Sequence, residues 1–284
     1  MGKKLGAALL SIGVNVALLL SKIAAAVLTG SIGLYAESAH SLFDLLASIL
    51  AYIGIRKAEE PEDQTHHFGH EKFENLSSLL QALLITGTAF IVMFEAYQKL
   101  QGPIEIESSE TGIALMLISI PITYLTSRYL ADTAAKEGGS HALEADSAHF
   151  LTDVAGSIAV LCGLVLFRLG VPAGDPIAAF AVGLIMLYIS IELGIKSFII
   201  FMDFSPDRKT LESIEAVLRT EKRITRYHKL RARIAGSRVF VDVHIHFPHQ
   251  TNIVVAHKIA HDIEKRIIER VPAVKEVSIH TEPD

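Results

Sequence analysis

The chain has 284 residues, 50% of them hydrophobic, and a formal net charge of −5. A mean hydropathy of +0.40 is too apolar for an ordinary soluble domain of this length, and a pI near 6.2 leaves no large basic surface for nucleic acid. The single cysteine excludes an internal disulfide and any multi-cysteine metal cluster, while 13 histidines are an unusually high count.

A hydrocarbon core of about 30 Å needs about 20 apolar residues in a helix. Six such stretches occur in chain order: Leu5–Leu28, Leu34–Ile55, Leu76–Tyr97, Thr111–Leu130, Ala145–Leu169 and Pro176–Met202. Helix punctuation fills the gaps: Thr29-Gly30-Ser31, Gly102-Pro103, Gly138-Gly139, and Pro172 with Gly174. Irregular backbone therefore falls outside the bilayer, where its polar groups can be hydrated. Lys3 and Lys4 precede the first stretch with no cleavage pattern after it, so it reads as a retained helix. Cys162 lies in an apolar run and reads as a small packing residue.

Lys3, Lys4, Arg56, Lys57, Lys72, Arg128 and Lys136 gather on one side of the six helices, against Lys99 and Arg168 on the other. The first side is expected to be cytoplasmic, with both termini there. The short N-terminus points to a bacterial inner membrane.

From about Asp203 the composition changes, and residues 204–284 read as a small soluble domain following a membrane domain of residues 1–203. Asp207–Thr220 has helical periodicity, and Tyr227–Ile234 and Val239–Phe247 read as strands around a Gly236-Ser237 turn. Val239, Val241, Val243 and Ile245 share one face of the second strand, and His244 and His246 the other. Asn252–Arg270 is an amphipathic helix and Val274–His280 a last strand, giving an α-β-β-α-β order and an α+β layer.

Ionisable residues at membrane depth are costly and mark function. The second helix carries His40 and Asp44, the fifth His149 and Asp153. Each pair is His-x-x-x-Asp, and i, i+4 spacing puts both side chains on one helix face. Two such faces turned together offer two imidazoles and two carboxylates, a tetrahedral set suited to zinc. The carboxylates balance a 2+ ion, and the empty site should take up protons that metal must displace. The competing reading is a buried polar network that only packs the bundle. Asn15, Lys22 and the Glu192/Lys196 pair are expected to snorkel or to bond between helices, and Glu37 to face water or, alternatively, to help ions leave.

Between the second and third helices, Asp63, His66 and His70 fall within eight residues and could hold a second metal in an open site; a solvated polar loop is the alternative. His70-Glu71 lacks the second histidine of a zincin protease. In the soluble domain His228, His244, His246, His257, His261 and His280 crowd together with Glu282 after them. The clustering favours at least one metal site, and spacing does not say which histidines share it.

At these residues the sequence resembles the cation diffusion facilitator family. The likeness rests on the paired His-x-x-x-Asp, on Phe68-Gly69-His70-Glu71-Lys72 and on the histidine-bearing tail. It implies a homodimeric six-helix exporter with a cytoplasmic, metallochaperone-like (ferredoxin-like) α+β domain, exchanging metal for protons. It makes His40, Asp44, His149 and Asp153 the transport site and Asp63, His66 and His70 a loop site. It makes His228, His244, His257, His280 and Glu282 the ligands of a regulatory, often binuclear, site at the dimer interface, although the family's last ligand is an Asp. It also pairs Lys72 with Asp203 across the dimer. His40 and the two-imidazole set argue for Zn2+ as cargo and regulator, with Co2+, Cd2+, Fe2+ or Mn2+ as alternatives. A membrane-anchored metal sensor without turnover is a second reading. A membrane metallohydrolase is disfavoured, because four protein ligands leave no open metal position. The expectation is a transporter working by alternating access in the lipid bilayer, not an enzyme.

Overall fold

The computed structural model describes residues 2–30, 32–101, 110–169, 171 and 173–284. Ser31, Gly102-Pro103 and Pro172 lie outside the described residues, as do the side chains of Glu37 and Arg168.

Six long helices come first: α1 (Lys3–Thr29), α2 (Ile32–Ala58), α3 (Lys72–Gln101), α4 (Glu110–Lys136), α5 (His141–Arg168) and α6 (Gly174–Phe201). Five of them contain described segments long and apolar enough to cross a membrane. The remaining one, α5, carries Glu144, Asp146, His149 and Asp153 among its apolar residues. α1 ends where Gly30, at φ +67°, turns left-handed and returns its N–H to Ala26 O at 2.9 Å. Gly138 (φ +85°) and Gly139 (φ +82°) make the turn between α4 and α5.

The bundle is built in the opposite sense to a soluble one. Its inside holds many small residues, such as Ala7, Ala8, Ala47, Ala51, Ala82 and Ala89 with Ser11 and Ser48, beside a few large ones such as Phe150, Leu130 and Leu143. Its outside shows Leu83, Phe90, Phe94, Leu125 and Tyr188. Lipid is as apolar as a leucine side chain, so helices gain by close backbone approach and interhelical hydrogen bonds rather than by hiding large residues. Gly54 shows how close that approach is, since a Cβ there would lie 2.3 Å from Ser77 Cβ on α3. Cys162 also faces outward, not into the packing, because the bilayer accepts a small apolar side chain there. α6 is tied to α3 by Ser197 Oγ donating to Ser78 Oγ at 2.9 Å and Thr86 Oγ1 donating to Ser190 Oγ at 2.9 Å.

The second compact unit comprises residues 199–284. Its elements are α7 (Arg208–Thr220), β1 (Arg226–Ala235), β2 (Arg238–Phe247), α8 (Ile253–Arg270) and β3 (Val274–Pro283). Asp207 caps α7 by accepting from Thr210 N at 3.2 Å, and Asn252 caps α8 by accepting from Val254 N at 2.8 Å. The sheet order is β1-β2-β3, antiparallel between β1 and β2 and parallel between β2 and β3. Val239, Val241, Val243 and Ile245 point into a core with Ile214, Val217 and Leu218 of α7 and Ile259, Ile263 and Ile267 of α8. Period-2 alternation on β2 thus buries one face under the helices and leaves the other to the histidines.

Candidate metal sites

In the membrane unit α2 and α5 bring their two pairs together. His149 Nε2 lies 3.1 Å from Asp44 Oδ1, and His40 Nε2 lies 3.7 Å from the same oxygen. Ligand atoms of His40, Asp44 and Asp153 lie within 4.8 Å of one another. Asp44 and His149 are buried, and His40 and Asp153 are partly exposed. Three of the four groups the sequence singled out, His40, Asp44 and Asp153, therefore converge, and the fourth, His149, reaches them through Asp44 Oδ1. Together the four side chains supply two imidazoles and two carboxylates, donor types that zinc takes.

Polar groups of α1 back this cluster. Asn15 Nδ2 donates to Asp44 O at 3.2 Å and to Ser48 Oγ at 2.8 Å, and Lys22 Nζ donates to Ser41 Oγ at 2.8 Å. Asn15 and Lys22 thus bond between helices. The Glu192/Lys196 pair forms on α6 at 3.0 Å, and Lys196 also reaches Glu144 on α5 at 3.0 Å.

The loop after α2 folds around Asp63. Its Oδ1 accepts from Thr65 N (2.8 Å), Thr65 Oγ1 (2.8 Å) and His66 N (2.6 Å). These bonds, from Thr65 first, hold the Asp63 carboxyl well below the usual carboxylate range. Its Oδ2 is 3.4 Å from His70 Nε2, and His66 and His70 have ring centroids 4.3 Å apart. His70 Nδ1 sits 3.1 Å from Pro61 O. A carbonyl only accepts, so Nδ1 carries a proton, and Nε2 faces the Asp63 carboxylate. Asp63, His66 and His70 therefore form a compact ligand triad on an otherwise exposed loop.

In the soluble domain the sheet register does the assembly. His228 on β1 stands opposite His244 on β2, which stands opposite His280 on β3. Two residues along β2, His246 stands opposite Glu282. A bulge between His228 and Arg231, with Lys229 at φ +47°, separates this row from the regular part of β1. Glu282 lies at the centre. Its Oε1 accepts from His244 Nδ1 at 2.7 Å and is 3.6 Å from His280 Nε2. Its Oε2 is 3.0 Å from His246 Nε2 and 3.4 Å from His228 Nε2. His246 Nδ1 is 3.2 Å from Pro283 O, a carbonyl that only accepts, so Nδ1 carries a proton. Nε2 of His228 and of His246 are both buried without a hydrogen bond. Two imidazole nitrogens and a carboxylate oxygen converging on one point are a donor set that a cation can satisfy. The donor set therefore fits metal, with one carboxylate able to bridge two ions.

Family models match the chain along nearly its whole length. The cation efflux transmembrane domain matches residues 8–202, and the cytoplasmic domain of cation efflux proteins matches residues 206–284. The chain belongs to the cation diffusion facilitator family. Among curated relatives, the cation-efflux pump FieF of Serratia proteamaculans is 30% identical over 94% of this chain and 88% of its own length. FieF of Shewanella oneidensis is 30% identical over 96% and 92%, and an uncharacterised transporter of Methanocaldococcus jannaschii 29% identical over 95% and 93%. Of solved structures, the metal-bound C-terminal domain of the CzcD transporter from Thermotoga maritima is 26% identical, with a TM-score of 0.27 over 28% of this chain and 94% of that domain. As a cation diffusion facilitator, this protein is a cation efflux transporter and not an enzyme.

Two placements differ from a ligand set read off the family pattern. His257 is exposed on α8 and belongs to neither of the converging groups, which are His228, His246, Glu282 and His244, His280, Glu282. His246 stands in the first of them instead. Alternation had placed His246 on the histidine face of β2, but only the register with β3 shows that Glu282 meets it. Lys72 opens α3, and Asp203 Oδ2 is 3.5 Å from Arg233 Nη1 within its own unit.

Proposed function

We propose that this cation diffusion facilitator exports zinc from the cytoplasm by exchange for protons, through alternating access of the site formed by His40, Asp44, His149 and Asp153. The observation that carries this reading is the convergence of His40, Asp44 and Asp153, with His149 Nε2 3.1 Å from Asp44 Oδ1 across two helices. Two imidazoles and two carboxylates favour zinc over the harder Mn2+, and Co2+ and Cd2+ accept the same set. Zinc needs these ligands deprotonated, so loading from the cytoplasmic side releases their protons and unloading on the far side takes protons up. A net exchange follows if the bundle opens to one side at a time.

The same reading assigns residues 1–203 to transport and 204–284 to a cytoplasmic regulatory and dimerising domain. Asp63, His66 and His70 would bind a metal near the membrane surface. His228, His246 and Glu282 would hold one regulatory ion and His244, His280 and Glu282 a second. Such binding biases transport only if the affinity of these sites differs between conformations. The active form is a homodimer in a bacterial inner membrane with both termini cytoplasmic, and Lys72 pairs with Asp203 across it.

The test is zinc flux into proteoliposomes under an imposed pH gradient, for the wild type and Asp153→Ala. Gradient-driven uptake that the variant loses is expected. Zinc binding without flux in the wild type would replace the transport reading with a membrane-anchored sensor.

A further inference from the structure

Asp146 lies one turn before His149 on α5 and is fully buried. It lies outside the four ligands, yet it has a built environment. Ser48 Oγ on α2 donates to Asp146 Oδ1 at 2.9 Å. Ser48 Oγ in turn accepts from Asn15 Nδ2 at 2.8 Å and lies 2.5 Å from Ser11 Oγ, both on α1. Asn15 also holds the main-chain oxygen of Asp44 at 3.2 Å. A single polar chain therefore runs from the backbone of one transport ligand to a carboxylate beside another.

Two atoms at the end of that chain are left over. Asp146 Oδ2 and His149 Nδ1 are each buried with no hydrogen-bond partner. Residues three apart on a helix are neighbours on one face, with about 5–6 Å between Cβ atoms. His149 turns Nε2 toward Asp44, so a metal bound there takes the Nε2 lone pair and the ring proton must reside on Nδ1. That N–H then points at no acceptor in the ligand set, whereas Asp146 Oδ2 is a free acceptor on the same face.

We infer that Asp146 is the outer carboxylate of the transport site, accepting the Nδ1–H of His149 directly or across one water molecule, and so orienting the imidazole for metal. Ligating histidines generally donate their second nitrogen to a carboxylate, carbonyl or water, and removing that partner costs about 10–100-fold in metal affinity. Asp146 is a positioning residue by this account, and through Ser48 and Asn15 it ties metal occupancy to the packing of α1 on α2. The inference rests on the four-ligand reading of the transport site.

Cobalt titration of the full-length protein separates the two. Co2+ reports ligand geometry in its visible bands, and the transport site is defined as the bound Co2+ that His149→Ala abolishes. Asp146→Asn keeps the side chain's shape and can still accept from Ser48, so a packing role predicts no change. The expected result is a 10–100-fold rise in Kd at that site and shifted bands. A Kd within twofold of the wild type with unchanged bands overturns the inference while leaving the four-ligand site standing. Equal Co2+ binding by the wild type and His149→Ala removes the four-ligand site itself, and the inference with it. If Asp146→Asn does not fold, Ser48→Ala carries the test. Loss of the hydroxyl that holds Oδ1 should weaken Co2+ binding at least threefold, and unchanged binding overturns the inference.

Discussion

His246 on β2 and Glu282 on β3 are register partners in a parallel pair, and Glu282 Oε2 lies 3.0 Å from His246 Nε2. The other oxygen of the same carboxylate faces His244 and His280. One side chain therefore belongs to both candidate ion positions. Glu282→Gln should lower zinc bound by the soluble domain at both positions, whereas His280→Ala should spare the position built on His228 and His246. Zinc stoichiometry of the full-length protein, measured by equilibrium dialysis against the Asp63→Ala variant as a control for the loop, checks this. Equal losses in the two variants would show that Glu282 does not bridge.

The same cluster sets a direction for pH. Burial pushes the His228 imidazole below its ordinary value of 6.5, and the hydrogen bond from His244 holds the Glu282 carboxyl below 4.5. Both groups bind protons less readily folded than unfolded, so the metal-free domain loses stability as pH falls. The loss begins below about pH 6.5 with His228 and continues below about 4.5 with Glu282. No stability is lost from either group as pH rises above 7. Thermal unfolding of the metal-free protein at pH 7.5, 5.5 and 3.5 should show this order, and His228→Asn should flatten the first step.

Gly54 on α2 packs against Ser77 on α3, and a Cβ there would stand 2.3 Å from Ser77 Cβ and 3.2 Å from Phe73 O. Backbone cannot yield as the tip of a long side chain can. Gly54→Ala should force α2 from α3 and cost about 1–3 kcal/mol, the usual penalty of overpacking. Because α2 also carries His40 and Asp44, zinc flux in proteoliposomes should fall with stability. Gly13, whose added Cβ would meet nothing within 4 Å, provides the control: Gly13→Ala should change neither.

Much of the membrane unit was legible in one dimension. Apolar runs set the helices, because the bilayer admits little else, and i, i+4 spacing fixed His40 with Asp44 and His149 with Asp153 on common faces. Asp63, His66 and His70 were close enough in the chain for a short loop to gather them. Asp146 was not legible in the same way. It lies three residues from His149, but its meaning depends on Ser48, Asn15 and Ser11, which come from two other helices. The soluble domain divides similarly. Alternation placed His244 and His246 on one face of β2, but the last strand was expected to stop at His280.

Local periodicity and the energetic cost of polar groups in lipid set the helices, the α-β-β-α-β order of the tail and the common face of each ionisable pair. Which groups from different elements meet was settled only by the tertiary structure. Parallel pairing with β2 carries β3 on to Pro283 and sets Glu282 opposite His246. Register is a contact between distant segments, fixed by the packing of Val241, Val243 and Ile245 against α7 and α8. Spacing along one chain carries no record of it.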